Sequence, residues 1–562
     1  MNCLKKSPHI VFFAIVFSVM FFAGSVSAAN VSNYVNFNVD SSYDASARSK
    51  VSATLIKTTS SFYVYVETNW RDLQSPIKQS EILGNLDALS SEFESKIYPT
   101  LTSIYGSESM PGIDGDNKIT ILFESLNSNI SGYMRSQDGY SKLQAPDSNE
   151  REMLYLPVSQ TISADLKVFL AHEFVHLIIF NQKDIMRGVQ EEVWLNEAMA
   201  DYASTILGYD DAYEGSNLQR RVSDFLYRPD DSLTEWQNTK YDYAVDSLFI
   251  RYLVDHYGLS ILTDALHSKS IGIASLNEAL LKNGAKKDFA QIFTDWTISI
   301  IINNCLFDQA YCYTNKSLDH LKINPTLIFL PLTGSSSLSM TNTTKNWSGN
   351  WQKIIGGNGN LTLEFSSLSG LRFQVPYIIY DSNGNYAVKF LALDNQSKGK
   401  ITIKDFGTQH NALIMIPSLQ AKISGFEGPE PAYPYTFNIS IAGDVLEENS
   451  VLIQSLLDQI NSLKQQIAAL QSNTPMCAGL DINLYIGMVN NTRVRCLQQF
   501  LITQGAGIYP EALVTGNFGA LTHSAVARFQ NKYKYEILTP LGLLQGTGFV
   551  GALTRQKINQ LL

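Results

Sequence analysis

At 562 residues the chain is too long for one hydrophobic core, and 45% hydrophobic content with 17% charged residues excludes wholesale disorder. A net charge of −10 argues against a nucleic-acid partner. Lys5 and Lys6 precede an apolar run from Ile10 to Ala23, and Val26-Ser-Ala28 has the small-residue pattern of a signal-peptidase site. Residues 1–28 are therefore expected to be a signal peptide, with an exported mature chain starting near Ala29. A retained anchor is the alternative, although the run is shorter than the roughly 20 residues a span needs. No later stretch is long enough to cross a bilayer, which leaves a mature chain with no membrane span, secreted or associated with the cell wall. Without Cys3, four cysteines remain as Cys305 with Cys312 and Cys477 with Cys496, expected as two local disulfides in an oxidising compartment.

From Ala29 to about Thr161 the pattern is mixed. Val51 to Ile56, Phe62 to Val66 and Lys118 to Phe123 read as strands, and Leu83 to Tyr105 reads as an amphipathic helix. The turn Gly112-Ile-Asp-Gly-Asp-Asn117 offers Asp114 and Asp116 to a calcium ion. A full EF-hand loop would end in Glu, but its twelfth position is Ser125, which favours a plain Asp-Gly turn. Whether the segment before Val51 is a pro-region is not legible.

The run Phe169-Leu-Ala-His-Glu-Phe-Val-His-Leu-Ile-Ile-Phe180 contains an HExxH motif at His172, Glu173 and His176. On a helix the i,i+4 spacing puts both imidazoles on one face, about one turn apart, within reach of one tetrahedral metal. Glu173, beside the first ligand, can then meet a metal-bound water. The surrounding residues form an apolar helix without Gly or Pro, in which a His-Glu-His patch has no packing purpose; two satisfied core histidines are the weaker reading. A catalytic zinc takes three protein ligands. The helix-like segment Asn196 to Ser204 supplies Glu197 as the third, with Asp201 one turn on, accepting a hydrogen bond from the far nitrogen of a ligating His.

The HExxH motif followed by Asn-Glu-Ala-x-x-Asp resembles the gluzincin peptidases, the thermolysin-like clan. Ser148-Asn-Glu-Arg-Glu-Met-Leu-Tyr155, Leu170-Ala-His-Glu-Phe-x-His and Trp194-Leu-Asn-Glu most resemble the hyicolysin-type neutral metallopeptidases, over roughly residues 50 to 300. The resemblance implies an α+β zincin-type metallopeptidase domain, placed at residues 29–304, with a strand-bearing half forming one wall of the cleft. It implies His172, His176 and Glu197 as Zn2+ ligands, Glu173 as catalytic base and Asp201 as the carboxylate behind a ligand. It also implies a tyrosine near the start of a helix as oxyanion donor. Tyr243 is favoured over Tyr241, while His256 and His267 read as ordinary residues.

Helical patterns at Asp246 to Tyr257, Leu259 to His267 and Phe289 to Ile302 would complete this domain. After Cys312, short strand-like runs alternate with Gly, Asn and Ser turns, as in a β-sandwich appendage at residues 305–444. Ile453, Leu456, Ile460, Leu463, Ile467 and Leu470 then recur at heptad spacing. Residues 445–474 thus read either as a coiled coil giving self-association through 453–470 or as a helical stalk. Beyond it, Val494-Arg-Cys-Leu-Gln-Gln-Phe-Leu501, Val514-Thr-Gly-Asn-Phe-Gly519 and Leu521-Thr-His-Ser-Ala-Val-Ala-Arg-Phe-Gln530 resemble the three-helix peptidoglycan-binding domain, placed at residues 475–562. Seven Lys/Arg against three Asp/Glu make residues 476–562 basic, while the mature chain is near −12 once the two signal lysines leave the −10 total. A basic tail suits an anionic wall polymer.

The expectation is a multidomain, secreted zinc endopeptidase acting on protein or peptide substrates and brought to peptidoglycan by its C-terminal domain. Its rivals are a zinc hydrolase of wall peptides and a non-catalytic surface-binding protein; an intact Glu173 counts against the last.

Overall fold

The computed structural model describes residues 33–426, 428–442 and 479–562. The expected signal peptide, the heptad segment and Cys477 lie outside the described residues. The chain divides into two compact units, Met1–Val445 and Leu446–Leu562, and is mixed α/β with several sheets. Among the described residues no helix is long and apolar enough to cross a membrane.

The first unit begins with a five-stranded sheet: β1 (Tyr34–Asn38), β2 (Lys50–Thr58), β3 (Phe62–Glu67), β4 (Ile119–Glu124) and β5 (Met153–Pro157), in that spatial order. The β1–β2–β3 meander is antiparallel, while β3, β4 and β5 run parallel. The three parallel strands are buried at every position, as their unbroken apolar runs require when both faces are covered. One face packs on Phe37, Val51, Tyr133 and Tyr155; the other, through Phe62, Val64, Ile121 and Leu154, joins the main core under the helices.

Ten helices accompany this sheet: α1 (Thr68–Asp72), α2 (Pro76–Glu92), α3 (Tyr98–Tyr105), α4 (Leu166–Ile179), α5 (Val193–Ile206), α6 (Asn217–Tyr227), α7 (Lys240–Tyr257), α8 (Ser260–Leu266), α9 (Gly272–Lys282) and α10 (Phe289–Ile302). The single helix expected from Leu83 to Tyr105 starts earlier, at Pro76, where Ser75 accepts from the Lys78 amide as N-cap. A π-turn at Phe93–Ile97 separates it from α3. Helices α4 and α10 are apolar nearly all round, and both are buried in the main core.

Eleven strands follow: β6 (Thr326–Leu330), β7 (Ser336–Thr344), β8 (Gln352–Gly356), β9 (Gly359–Ser367), β10 (Phe373–Gln374), β11 (Pro376–Asp381), β12 (Tyr386–Phe390), β13 (Lys398–Phe406), β14 (His410–Met415), β15 (Ser418–Leu419) and β16 (Tyr433–Ala442). One layer runs β6-β8-β14-β11-β12 and a second β7-β16-β9-β13, joined by the single pair Phe406 and His410. Between them lie Leu363, Phe365, Phe437, Ile439, Leu413 and Met415. The alternate residues Ile378 and Ile414 point the other way, into the main core shared with the helices. Trp347 and Trp351 bind the two halves: Trp347 packs on Phe289 and Phe293, and Trp351 Nε1 donates to the Thr297 carbonyl at 2.9 Å. The compositional change at residue 305 therefore marks a change of secondary structure within one core. The expected Cys305–Cys312 disulfide is present at this junction.

The described part of the second unit has helices at Thr492–Thr503, Ala520–Lys532 and Ala552–Leu561 around Leu497, Leu501, Val526, Phe529 and Ile558. It carries an internal repeat that the sequence reading overlooked: Thr515-Gly-Asn-Phe-Gly-Ala-Leu-Thr522 and Thr547-Gly-Phe-Val-Gly-Ala-Leu-Thr554. Each copy is held by a buried glutamine. Gln498 accepts from the Gly516 amide and donates to Thr522 Oγ1; Gln530 accepts from the Gly548 amide and donates to Thr554 Oγ1. Both glycines have positive φ, which frees the turn for this bond.

Candidate metal centre

Helix α4 ends in a π-turn at Phe180–Ile185, and the connection to α5 is fixed by buried charges. Lys183 and Glu191 pair at 3.0 Å with neither side chain exposed, and Glu191 also accepts from the Gly272 amide at 2.6 Å. Glu192 accepts from Trp194 Nε1 at 2.8 Å and from the Gly425 amide at 2.8 Å, tying the start of α5 to the strand-rich half. These clamps set α5 against α4, so that a ligand on each helix can meet.

His172, His176 and Glu197 do meet. His172 Nε2 lies 3.1 Å from His176 Nε2 and 3.2 Å from Glu197 Oε2, and His176 Nε2 lies 3.6 Å from the same oxygen. They are the one group of three His, Cys, Asp or Glu among the described residues whose ligand atoms converge within 4.8 Å. The edges of this triangle match the ~3.3 Å edge of a tetrahedron with bonds of ~2.0 Å, the geometry of zinc with nitrogen and oxygen ligands. Two imidazole nitrogens and a carboxylate oxygen converging on one point are a donor set that fits a cation.

The electrostatics point the same way. Burial opposes charge on His176, but Glu197 and Glu173 beside it, with Asn196, push its pKa up to about 9. Burial also works against the Glu197 carboxylate, yet the two imidazoles hold it well below the usual range. Glu173 is raised by burial, with His172 and His176 opposing. The carboxylates of Glu197 and Glu173 thus favour positive charge at this point, the charge that a metal ion would supply.

The residue behind the ligands differs from the expected one. Asp201 holds neither imidazole. Its Oδ1 accepts from Arg221 at 2.8 Å and from Asn217 at 2.9 Å, and Arg251 stands 3.5 Å from its Oδ2. Burial raises its pKa, but Arg221 and Arg251 more than offset this and keep it ionised. The partner of the histidine is Asn196, whose Oδ1 lies 2.6 Å from His176 Nδ1. An amide oxygen there accepts from Nδ1–H and leaves the Nε2 lone pair facing Glu197. Asn196 stands inside the Trp-Leu-Asn-Glu run, but adjacent positions on a helix diverge by about 100°, so spacing gave it no role.

Asp201 acts on the other wall. The Arg221 guanidinium that it holds lies 4.6 Å from the centre of the Tyr243 ring, and Trp236 meets that ring edge-on at 4.8 Å. Tyr243 lies 6.4 Å, ring to ring, from His172, and burial together with Glu197 keeps its hydroxyl protonated. Tyr241 instead stacks on Tyr227 at 5.8 Å, beside Lys240 and Arg228. His256 Nε2 donates to the Cys312 carbonyl and His267 Nε2 to the Tyr105 carbonyl, so neither imidazole joins the triad.

Gly132 closes the other side of Glu173. A Cβ at position 132 would fall 2.8 Å from Glu173 Cγ, so bare backbone lies against the Glu173 side chain. The next residue, Tyr133, pairs with Tyr155 of the edge strand β5 and stacks on its ring at 4.4 Å. At the Asp-Gly turn, Asp114 Oδ1 accepts from the Asp116 amide and Asp116 Oδ2 from the Tyr63 hydroxyl. Both carboxylates are thus engaged as turn and strand contacts.

No family model matches the chain, and no curated protein matches it. Solved structures align with parts of it. A Yersinia pseudotuberculosis-derived mitogen is 10% identical over 19% of this chain and 88% of its own, with a TM-score of 0.15. The periplasmic g-type lysozyme inhibitor PliG of Aeromonas hydrophila is 10% identical over 21% of this chain and 99% of its own, also at 0.15. A surface-associated copper-binding protein, CorA of Methylomicrobium album, is 11% identical over 21% of this chain and 100% of its own, at 0.14. At these scores the likenesses carry no functional argument.

Proposed function

We propose that the protein is an exported zinc endopeptidase of gluzincin type, directed to the cell wall by a peptidoglycan-binding C-terminal domain. The convergence of His172, His176 and Glu197 is the observation that carries the reading. The three residues would hold Zn2+, which when bound supplies Lewis acidity, polarising a carbonyl and making water acidic near neutral pH. Glu173, buried and with a raised pKa, takes a proton from the attacking water and returns it to the leaving amine. Tyr243, kept protonated and oriented by Arg221 and Trp236, donates to the developing oxyanion. Gly132, lacking a Cβ, lets the backbone lie against Glu173 without displacing it. The facing strand layers of residues 326–442 form the β-sandwich of this reading, packed on the peptidase rather than appended to it. Protein chains are the proposed substrate class, because the motifs resemble protein-degrading enzymes.

The test pairs the mature chain with its Glu173→Gln variant. Both are expected to bind about one zinc, and only the parent to cleave casein, with activity lost to a chelator. A parent that binds zinc, spares casein and releases wall peptides would move the substrate to peptidoglycan. A parent that binds no zinc ends the enzyme reading.

A further inference from the structure

The loop between β1 and β2 does not stay at the far edge of its sheet. It crosses to the C-terminal ends of β3 and β4, where Ala45 N donates to the Ser125 carbonyl at 2.9 Å and Asn127 N to the Tyr43 carbonyl at 2.8 Å. Asp44 forms a bridge with Leu126, and Arg48 joins Asp44 at 2.6 Å to Glu67 at 2.5 Å. The loop is thus anchored by backbone bonds and by largely buried charge. At its tip the Tyr43 ring leans on Tyr133 at 5.0 Å, and Tyr133 adjoins the Gly132 that lies against Glu173. Tyr43 is half-buried, and its hydroxyl has no hydrogen-bond partner among the described residues. Burial, then the charges of Asp40, Glu197 and Glu173, raise its pKa, so the hydroxyl stays a donor.

We propose that Tyr43 is a substrate-contacting residue of the metal cleft, donating its hydroxyl hydrogen to a peptide carbonyl from the sheet side, as Tyr243 donates from the helical side. The proposal rests on the peptidase reading and deepens it. It also makes the segment before Val51 a working part of the site, against its removal as a pro-region.

The test uses the full mature chain, zinc-loaded, with Tyr43→Phe, which keeps the ring on Tyr133 and deletes the donor. Zinc content and Tm are expected to match the parent, while kcat/KM on an internally quenched peptide falls about tenfold. In a second readout without turnover, the same peptide is bound by Glu173→Gln and by Glu173→Gln/Tyr43→Phe. The double variant is expected to bind about three- to tenfold more weakly, as for one lost hydrogen bond. A Tyr43→Phe enzyme with the parent's kcat/KM and an unchanged Kd would overturn the proposal while leaving the peptidase reading intact. Loss of zinc from Tyr43→Phe would also overturn it, by making the residue structural. A parent that binds zinc yet cleaves no peptide would remove the peptidase reading, and Tyr43's role with it.

Discussion

A methyl group at position 132 has no room, because Glu173 Cγ stands 2.8 Å from where it would sit. Gly132→Ala is therefore expected to displace the base without touching the ligands: kcat falls at least tenfold, while zinc content stays at the parent value. Asn196→Ala should do the reverse. With Nδ1 of His176 unheld, zinc affinity is expected to drop about 10- to 100-fold in a chelator competition. The two outcomes separate residues that serve the base from those that serve the ligands. His172, Glu173 and His176 were legible because helical spacing puts them together locally, and Glu197 because it follows in an Asn-Glu-Ala-x-x-Asp run on the next helix. Asn196, Arg221 and Tyr43 were not, since each earns its place through a contact that no period in the chain reports. Asp201, expected to hold a ligating histidine, instead holds Arg221 and Asn217, because helix spacing fixes a face but not what packs upon it.

The connection between α4 and α5 decides whether the ligands meet. Lys183 is fully buried against Glu191 and donates to the Ser270 carbonyl at 2.6 Å, so Lys183→Met would leave Glu191 buried without its cation. A loss of about 3 kcal/mol is expected, read as a lower Tm of the apo chain, with weaker zinc binding accompanying it. The long apolar helices and the alternating strands were legible, being set by local pattern. The start of α2 was missed because its capping signal, Ser75-Pro76, precedes any apolar period. Strand β1 was missed because five residues with one fully buried side chain show no usable alternation.

Within the first unit, two acid groups buried without full compensation favour the folded state at low pH, opposite to the ion-paired Asp44 and Glu67. Glu124 and Glu152 are both pushed up to about 7 by burial, the Tyr133 hydroxyl easing the first and the Ile113 amide the second. An unfolded chain releases these protons near 4.5, so the folded form holds them over the interval between. Their favourable contribution is whole below about pH 4.5 and is lost as pH rises through 7. Glu124→Gln is therefore expected to match the parent near pH 4 and to exceed it at pH 8 by on the order of 2 kcal/mol, as measured by denaturant unfolding at both pH values. The change from helix to strand near residue 305 was plain in composition. The shared core across it was not, because Trp347, Trp351, Ile378 and Ile414 look like any other strand residues until their partners are known.

Leu306 is 99% exposed and lies inside the ring closed by Cys305 and Cys312. The most accessible apolar side chain on the path between the two halves is thus also the point where a cut is harmless. A backbone severed there would still be joined by the sulfur bridge, and the packing of Trp347 on Phe289 also holds the two halves together. A chain nicked there by an added protease is expected to run as one band until reductant is added.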